Sequence, residues 1–209
     1  MNKLSEIGVR CAVGAGVVAV AATMGTGAAA AGQLPNGYKA ATGMNGASIQ
    51  TWRTAESALA APSVANNGAG RAAVVSGTYT AKLSPGLNGK IAVRVLVGCQ
   101  VDISGLQGGI SGSVTEALSP TLSGSLTIPL KPGQVAVVKV TDKDIKKGGK
   151  TTLQLTQFGV SVERCGGQAS ARTIVQAVGA EGFNTDNGTV GGSGAYIQTT
   201  LYGEPFSLN

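Results

Sequence analysis

Few residues of this chain have the types and spacing that catalysis or metal binding requires. The 209 residues include no histidine, which excludes Ser-His-Asp and Cys-His catalysis, histidine general bases and histidine-bearing zinc sites. Asp142 and Asp144 lie beside three lysines, so their segment is too basic for a calcium-binding loop. Asp102 and Glu116 are two carboxylates, but only their presence supports glycoside hydrolysis. The sequence therefore predicts a protein that is not an enzyme and that holds no metal or cofactor.

The first 31 residues have the pattern of a cleaved secretory signal peptide. Lys3 and Arg10 precede an apolar segment at 11–22, and the alanines at 28–31 offer a cleavage site of the A-x-A type. A retained membrane anchor is the alternative, but the apolar run is short and interrupted by glycine. We therefore expect residues 1–31 to be removed on export.

In the rest of the chain the basic residues are scattered and not interleaved with aromatics, which argues against nucleic-acid binding.

Two cysteines, Cys99 and Cys165, remain after residues 1–31 are removed. An even number of cysteines in an exported protein predicts a disulfide, and two free buried thiols are the alternative. A bridge closing so long a loop would stabilise the fold by about 4 kcal/mol in the chain-entropy model.

Alternating apolar residues separated by turn residues predict an all-β protein. Residues 48–61 are ambiguous, because 49–52 favour a strand whereas 55–61 suit a helix that ends before Pro62. The charged run 143–147 leads into two glycines and is predicted to be a solvated loop. We expect further loops at 64–71 and 179–193, and strands at 72–82, 90–103, 134–141, 151–164, 169–178 and 194–202.

Two nine-residue runs, 106–114 and 122–130, alternate in the same way, with aliphatic or glycine residues at even positions and small polar residues at most odd positions. A period of two places these sets on opposite faces of a strand. Strands of a transmembrane barrel have this pattern, and so does a hairpin in a soluble sandwich. In a barrel the lipid-facing residues would be Leu106, Ile110, Val114, Leu122, Leu126, Ile128 and Leu130. The pore-lining residues would be Gln107, Ser111, Ser113, Thr115, Ser123, Ser125 and Thr127.

The apolar positions change phase just before the first run. They are odd from Ile91 to Ile103 and even from Leu106 onward, and a shift of one residue turns every side chain to the opposite face. Gly105 lies at the change, where a β-bulge is easily accommodated. If Cys99 forms a disulfide with Cys165, the odd face belongs to a protein core. The phase change therefore predicts a boundary between a folded domain and a stem.

Glu116 is the only charged residue between Asp102 and Lys131. It lies in the short segment between the two runs, close to Ser119 and Pro120, which favour a loop tip. Most loop glutamates are simply solvated. In a symmetric assembly, however, one glutamate per subunit forms a ring, and rings of carboxylates favour cations in a channel.

The C-terminal residues 202–209, Tyr-Gly-Glu-Pro-Phe-Ser-Leu-Asn, resemble the ending of MspA-type porins of mycolic-acid-bearing actinobacteria, which close with Tyr-Gly-Glu/Lys-Pro-aromatic-x-x-Asn. Residues 48–52, Ser-Ile-Gln-Thr-Trp, are similar to the early Thr-Val-Gln-x-Trp strand of that family. The resemblance covers about residues 47–209.

The resemblance implies a β-sandwich rim domain, residues 32–105 and 131–209, with a long hairpin at 106–130 that contributes two strands to an oligomeric transmembrane β-barrel. It also implies about eight subunits, or a mixed oligomer with a paralogue, in the mycolic-acid outer membrane. Such a water-filled channel would pass small hydrophilic solutes and ions, with Glu116 at the constriction. Family members with an acidic constriction carry several aspartates there. The alternative is a secreted β-sandwich binding module of the cell envelope.

Overall fold

The structure is a computed structural model that describes residues 32–63, 66, 70–100, 114–116, 125–129, 135–163, 165 and 167–208, and of 114–116 and 125–129 only the backbone. Within these ranges no helix has the length and apolar character to span a membrane. One 3₁₀ turn lies at Met44–Gly46. The strands are β1 (Gly32–Gln33), β2 (Gly37–Thr42), β3 (Ser48–Ala61), β4 (Arg71–Leu83), β5 (Asn88–Cys99), β6 (Val114–Glu116), β7 (Ser125–Pro129), β8 (Val135–Ile145), β9 (Lys150–Glu163), β10 (Ala169–Ala180), β11 (Tyr196–Tyr202) and β12 (Phe206–Leu208).

The strands form two sheets that enclose the core. Sheet A has the order β1-β3-β4-β9-β7, with β2 also paired to β3, and sheet B has the order β11-β10-β5-β8-β6, with β12 paired to β10. The pairings are antiparallel except those of the short strands β6 and β7, which lie parallel to β8 and β9. The prediction of an all-β fold is therefore confirmed.

The core is built from the alternating inward positions of both sheets. In β5 the odd residues from Ile91 to Val97 are fully buried and Cys99 is 4% exposed, while the even residues lie outward. Full burial of each such aliphatic side chain contributes roughly 1.5–3 kcal/mol. One core cluster surrounds Cys99, Cys165 and Phe206 at one end of the sandwich. A second surrounds Tyr79, Leu83 and Ile91 at the other end. The odd face of β5 is thus a protein core, as the sequence predicts.

Residues 48–61 form one strand, β3, so the helical alternative for 55–61 is wrong. The alanines there favour a helix only weakly, whereas β3 pairs with β4 from Ile49 to Ala61 with one register shift between Thr54 and Ser57. This tertiary pairing outweighs the local preference. The short strands β1, β2 and β12 lie outside the strands expected from the sequence.

The charged run at 143–147 is not wholly a loop. Strand β8 continues through Lys143 and Asp144 to Ile145, which is fully buried against the second core cluster. Pairing with β5 extends to the same point, where Gly89 lies opposite Ile145. The loop prediction is therefore wrong for residues 143–145, and the turn begins at Lys146.

Candidate functional site

Most residues of the predicted stem lie outside the described residues. The structure describes the backbone of a few predicted lipid-facing and pore-lining positions. These are Val114 and Thr115 in β6 and residues 125–128 in β7. The backbone of Glu116 is also described, at the end of β6. Strand β6 pairs with β8 in sheet B, and β7 pairs with β9 in sheet A. Between these two described segments no pairing is present. The hairpin at 106–130, its facing residues and the role of Glu116 stay predictions.

The two strands that flank the predicted stem lie side by side in sheet B. Strands β5 and β8 pair antiparallel up to Gly98, which lies opposite Val135. Antiparallel neighbours are about 5 Å apart. The residues between β5 and β8 therefore begin and end at neighbouring positions of sheet B. Residues 100–134 are an insertion between two neighbouring antiparallel strands, which is the arrangement that a long hairpin requires.

A disulfide joins the end of β5 to the connection between β9 and β10 at this point. Cys99 ends β5 in sheet B, and Cys165 follows β9 of sheet A; their Cα atoms lie 5.9 Å apart. Both residues are buried, Cys99 at 4% and Cys165 at 0% exposure, in the core cluster that contains Val97 and Phe206. The predicted disulfide is present, and it fixes the root of the insertion to the segment that joins β9 to β10.

A buried ion pair that sequence analysis did not identify lies on β3, and a hydrogen bond from Thr173 of β10 links it to sheet B. Arg53 and Glu56 are both on β3, and residues three apart in a regular strand point to opposite faces. A β-bulge between Thr54 and Ser57 changes the phase, with Ala55 at a φ of 51°. Both side chains therefore point inward, where Arg53 is 2% and Glu56 1% exposed, and the Nη1 of Arg53 donates to Glu56. A reading of the sequence with a strict period of two places Arg53 and Glu56 on opposite faces, so it does not predict this pair.

Polar partners from both sheets surround the Glu56 carboxylate. The hydroxyl of Tyr79 on β4 donates to its Oε1 at 2.9 Å, and the hydroxyl of Thr173 on β10 donates to the same oxygen. Burial, together with the nearby carboxylate, raises the pKa of Tyr79 well above its usual range. Arg53 also donates to the carbonyl of Pro35 at 3.0 Å, but its Nε has no partner among the described residues. The network therefore depends on Glu56 for its negative charge.

Gly203, in the C-terminal motif, packs directly against this network. A Cβ at this position would lie 2.5 Å from Oγ1 of Thr173 and 2.8 Å from Nη1 of Arg53. The amide of Gly203 donates to the carbonyl of Thr173 at 2.8 Å, and its carbonyl accepts from Nε of Arg172 at 2.9 Å. Any side chain would displace the ion pair. The glycine of this motif is therefore required by the packing between the two sheets.

A group of partly exposed charges lies on the outward face of β5 and β8. The Nζ of Lys90 is 3.0 Å from Oδ2 of Asp142, and the Nζ of Lys139 is 3.3 Å from its Oδ1. The hydrogen bond to Asp142 raises the pKa of Lys90. Burial opposes ionisation of Asp142, but its hydrogen bonds to both lysines outweigh this and lower its pKa. Each such exposed pair contributes about 1 kcal/mol or less.

The fold and the insertion define a class: a two-sheet β protein in which adjacent antiparallel strands of one sheet carry a long insertion fixed at its root by a disulfide. Within the described ranges no group of three His, Cys, Asp or Glu side chains is placed to hold a metal ion.

The family model described as MspA matches residues 45–207, and the chain belongs to this family, which is a family of outer-membrane porins and not of enzymes. No protein with a curated description matches the chain significantly. The match begins shortly before β3 and ends within β12, so it includes the ion pair, the disulfide and the whole insertion.

Proposed function

We propose that the chain is an exported subunit of an oligomeric outer-membrane channel. After removal of residues 1–31 it would form, with other copies, a water-filled pore for passive diffusion of small hydrophilic solutes and ions. The observation that carries this proposal is the root of the insertion, where Gly98 and Val135 are paired neighbours. An insertion with adjacent ends can extend as a hairpin while β5 and β8 stay paired.

The alternation in 106–114 and 122–130 supplies two strands with one aliphatic and one polar face. Nine residues at about 3.3 Å per residue, tilted by about 35–45°, span roughly 20–25 Å, close to the apolar band of a barrel. Two strands cannot close a barrel, and unpaired edges are not tolerated in lipid. The channel therefore needs several copies, about eight by family resemblance or a mixed ring with a paralogue, in a mycolic-acid outer membrane.

Replacing residues 106–130 with Asn-Gly is expected to abolish conductance while the two sheets stay folded. Asn-Gly favours a tight turn, and the pairing of Gly98 with Val135 keeps β5 and β8 together without the insertion. Planar-bilayer recording of the detergent-extracted complex measures the conductance. Circular dichroism and the absence of free thiols at Cys99 and Cys165 report the fold.

The full-length chain, prepared in the same way, is the control and is expected to give stepwise conductance. A full-length protein that gives no conductance in any assembly would contradict the proposed function. So would a shortened chain that conducts like the full-length one.

Replacing Glu116 with lysine is expected to shift the channel toward anions. If Glu116 lies at the constriction, each subunit then adds a positive charge to the ring in place of a negative one. The ratio of chloride to potassium permeability, measured by reversal potential in a salt gradient, should rise several-fold. Glu181, an exposed residue in the turn after β10, gives the matched variant Glu181→Lys. Equal selectivity in the Glu116 variant and the wild type would remove Glu116 from the constriction.

A secreted binding module of the cell envelope is the second candidate. The pairing of β6 with β8 and of β7 with β9 favours it, because these segments of the insertion then complete the edges of both sheets. This candidate requires a monomer that is soluble without detergent. The mass of the extracted protein, measured by light scattering, separates the two candidates, since only the channel requires an oligomer in detergent.

A further inference from the structure

Strand β9 has a long edge without a sheet partner. On one side it pairs with β4 from Lys150 to Val162. On the other side, the described part of the chain pairs with it only at Gly159–Glu163, through β7. Within that described part, the backbone of 150–158 therefore has a neighbour on one side alone.

The next step rests on the proposed function. If residues 106–130 cross the membrane, β7 leaves sheet A, and this segment of the chain cannot cover the edge of β9. All 14 residues of the strand would then lie at an open edge. A row of unpaired backbone donors and acceptors at a sheet edge is a template for another strand. In the assembled channel this edge is therefore open to a strand from outside the chain.

The composition of β9 suits pairing. Residues 151–162 include no charged residue and no proline, and they are rich in Thr, Leu, Gln and Val. The side chains of Thr152, Gln154 and Thr156 are exposed, whereas Leu155 is 9% exposed and packs in the core. β-Branched residues favour strands, and a long uncharged edge is prone to pair with other chains. No charge or proline in 151–162 opposes the addition of a strand. A bulge at Thr156 and Gln157, with Gln157 at a φ of 51°, interrupts the edge, so Lys150–Leu155 is its longest regular stretch without a described partner.

At two other outer strands, charged side chains oppose such pairing, in β8 its own and at β11 that of Lys39 from β2. Strand β8 contains four charged residues between Lys139 and Asp144, and the two aspartates form ion pairs with Lys90 of β5. At β11, the Nζ of Lys39 donates to the carbonyl of Thr200 at 2.9 Å and so caps a backbone acceptor. Charged side chains at edges, lysine above all, are a common protection against unwanted pairing. In the described residues, β9 lacks this protection along its central part.

We propose that the edge of β9 pairs with an extended strand of a second copy of this chain, so that sheet A continues across the subunit boundary. The second copy is the partner that the channel itself supplies, because two strands per chain close a barrel only in a ring of subunits. In a ring each subunit presents one surface to the next, head to tail. Main-chain hydrogen bonds along an added strand provide the affinity.

A lysine at Gln154 should block this pairing, because an added strand would bring backbone and side chains against a charge on the edge strand. Thr78 is the matched control, since it lies directly opposite Gln154 on β4, on the same outward face but within the sheet. The oligomer-to-monomer ratio of the full chain in detergent, measured by light scattering, should fall at least about tenfold for Gln154→Lys, which corresponds to about 1.4 kcal/mol. Thr78→Lys should assemble like the wild type.

Normal assembly of Gln154→Lys would overturn the proposal. Equal loss of assembly in both variants would also overturn it, because the outward face and not the edge would then be the contact. Conductance of the wild type is recorded in parallel. A conducting wild type with normal assembly of Gln154→Lys rejects the edge and leaves the channel standing, whereas a wild type that is monomeric and does not conduct rejects both.

A second measurement does not depend on the folding of the lysine variant. Because Cys99 and Cys165 are bonded to each other, Gln154→Cys supplies a free thiol in the processed chain. A thiol-reactive benzophenone attached there should, on irradiation, give a product of twice the subunit mass, and the same label at Thr78→Cys should give far less. Equal yields at the two positions would count against pairing at the edge.

Discussion

Replacing Glu56 with alanine is expected to lower the free energy of unfolding by about 3–5 kcal/mol, because it leaves the buried charge of Arg53 without its counter-ion. Arg53 is 2% exposed, and its Nε already lacks a partner among the described residues. The hydroxyls of Tyr79 and Thr173 would also lose their shared acceptor. Urea unfolding of the chain without residues 106–130, followed by tryptophan fluorescence, measures the change.

Glu56→Gln and Glu181→Ala are the matched variants. Glutamine keeps an acceptor for the two hydroxyls but not the negative charge. The free energy of unfolding of Glu56→Gln should therefore lie between those of the wild type and Glu56→Ala. Glu181 is exposed, and its replacement should change stability by less than about 0.5 kcal/mol. A Glu56→Ala variant as stable as Glu181→Ala would show that the ion pair does not hold the sheets together.

The all-β fold and most strands could be predicted because their side chains alternate with a strict period of two. In β5 every second residue from Ile91 to Val97 is aliphatic, and these are the fully buried residues. The disulfide could be predicted for a different reason. The chain has two cysteines beyond residue 31, so export leaves one possible pairing. In both cases a local or countable feature of the sequence decides the structure.

The features that could not be predicted depend on contacts between distant residues. The ion pair of Arg53 and Glu56 needs the bulge at Ala55, and that bulge is set by pairing with β4. The helical preference of the alanines after Ala55 is overridden by the same pairing. In the same way, the adjacency of Gly98 and Val135 follows from the register of β5 and β8, which no pattern within either strand reveals. Long-range pairing, not local propensity, decides each of these features.

Replacing both Cys99 and Cys165 with alanine is expected to lower the stability of the fold by about 4 kcal/mol. The disulfide closes a loop with a sequence separation of 66 residues, and the chain-entropy model gives this magnitude for such a loop. For a chain of this size the melting temperature should fall by about 8–16 °C. Differential scanning calorimetry of the two proteins under identical conditions measures the shift.

The position of the disulfide predicts which part of the fold loses most stability when the two cysteines are replaced. It joins the end of β5 to the connection between β9 and β10 at the root of the insertion, inside the core cluster around Phe206. Hydrogen exchange should therefore increase more at the paired ends of β5 and β8 near Gly98 than at their other ends near Gly89. The Glu56→Ala variant, which weakens a contact between β3 and β10, is the control for a general loss of stability. A melting temperature within 1 °C of the wild type, or exchange that increases evenly along β5, would contradict a local role for the disulfide at the root.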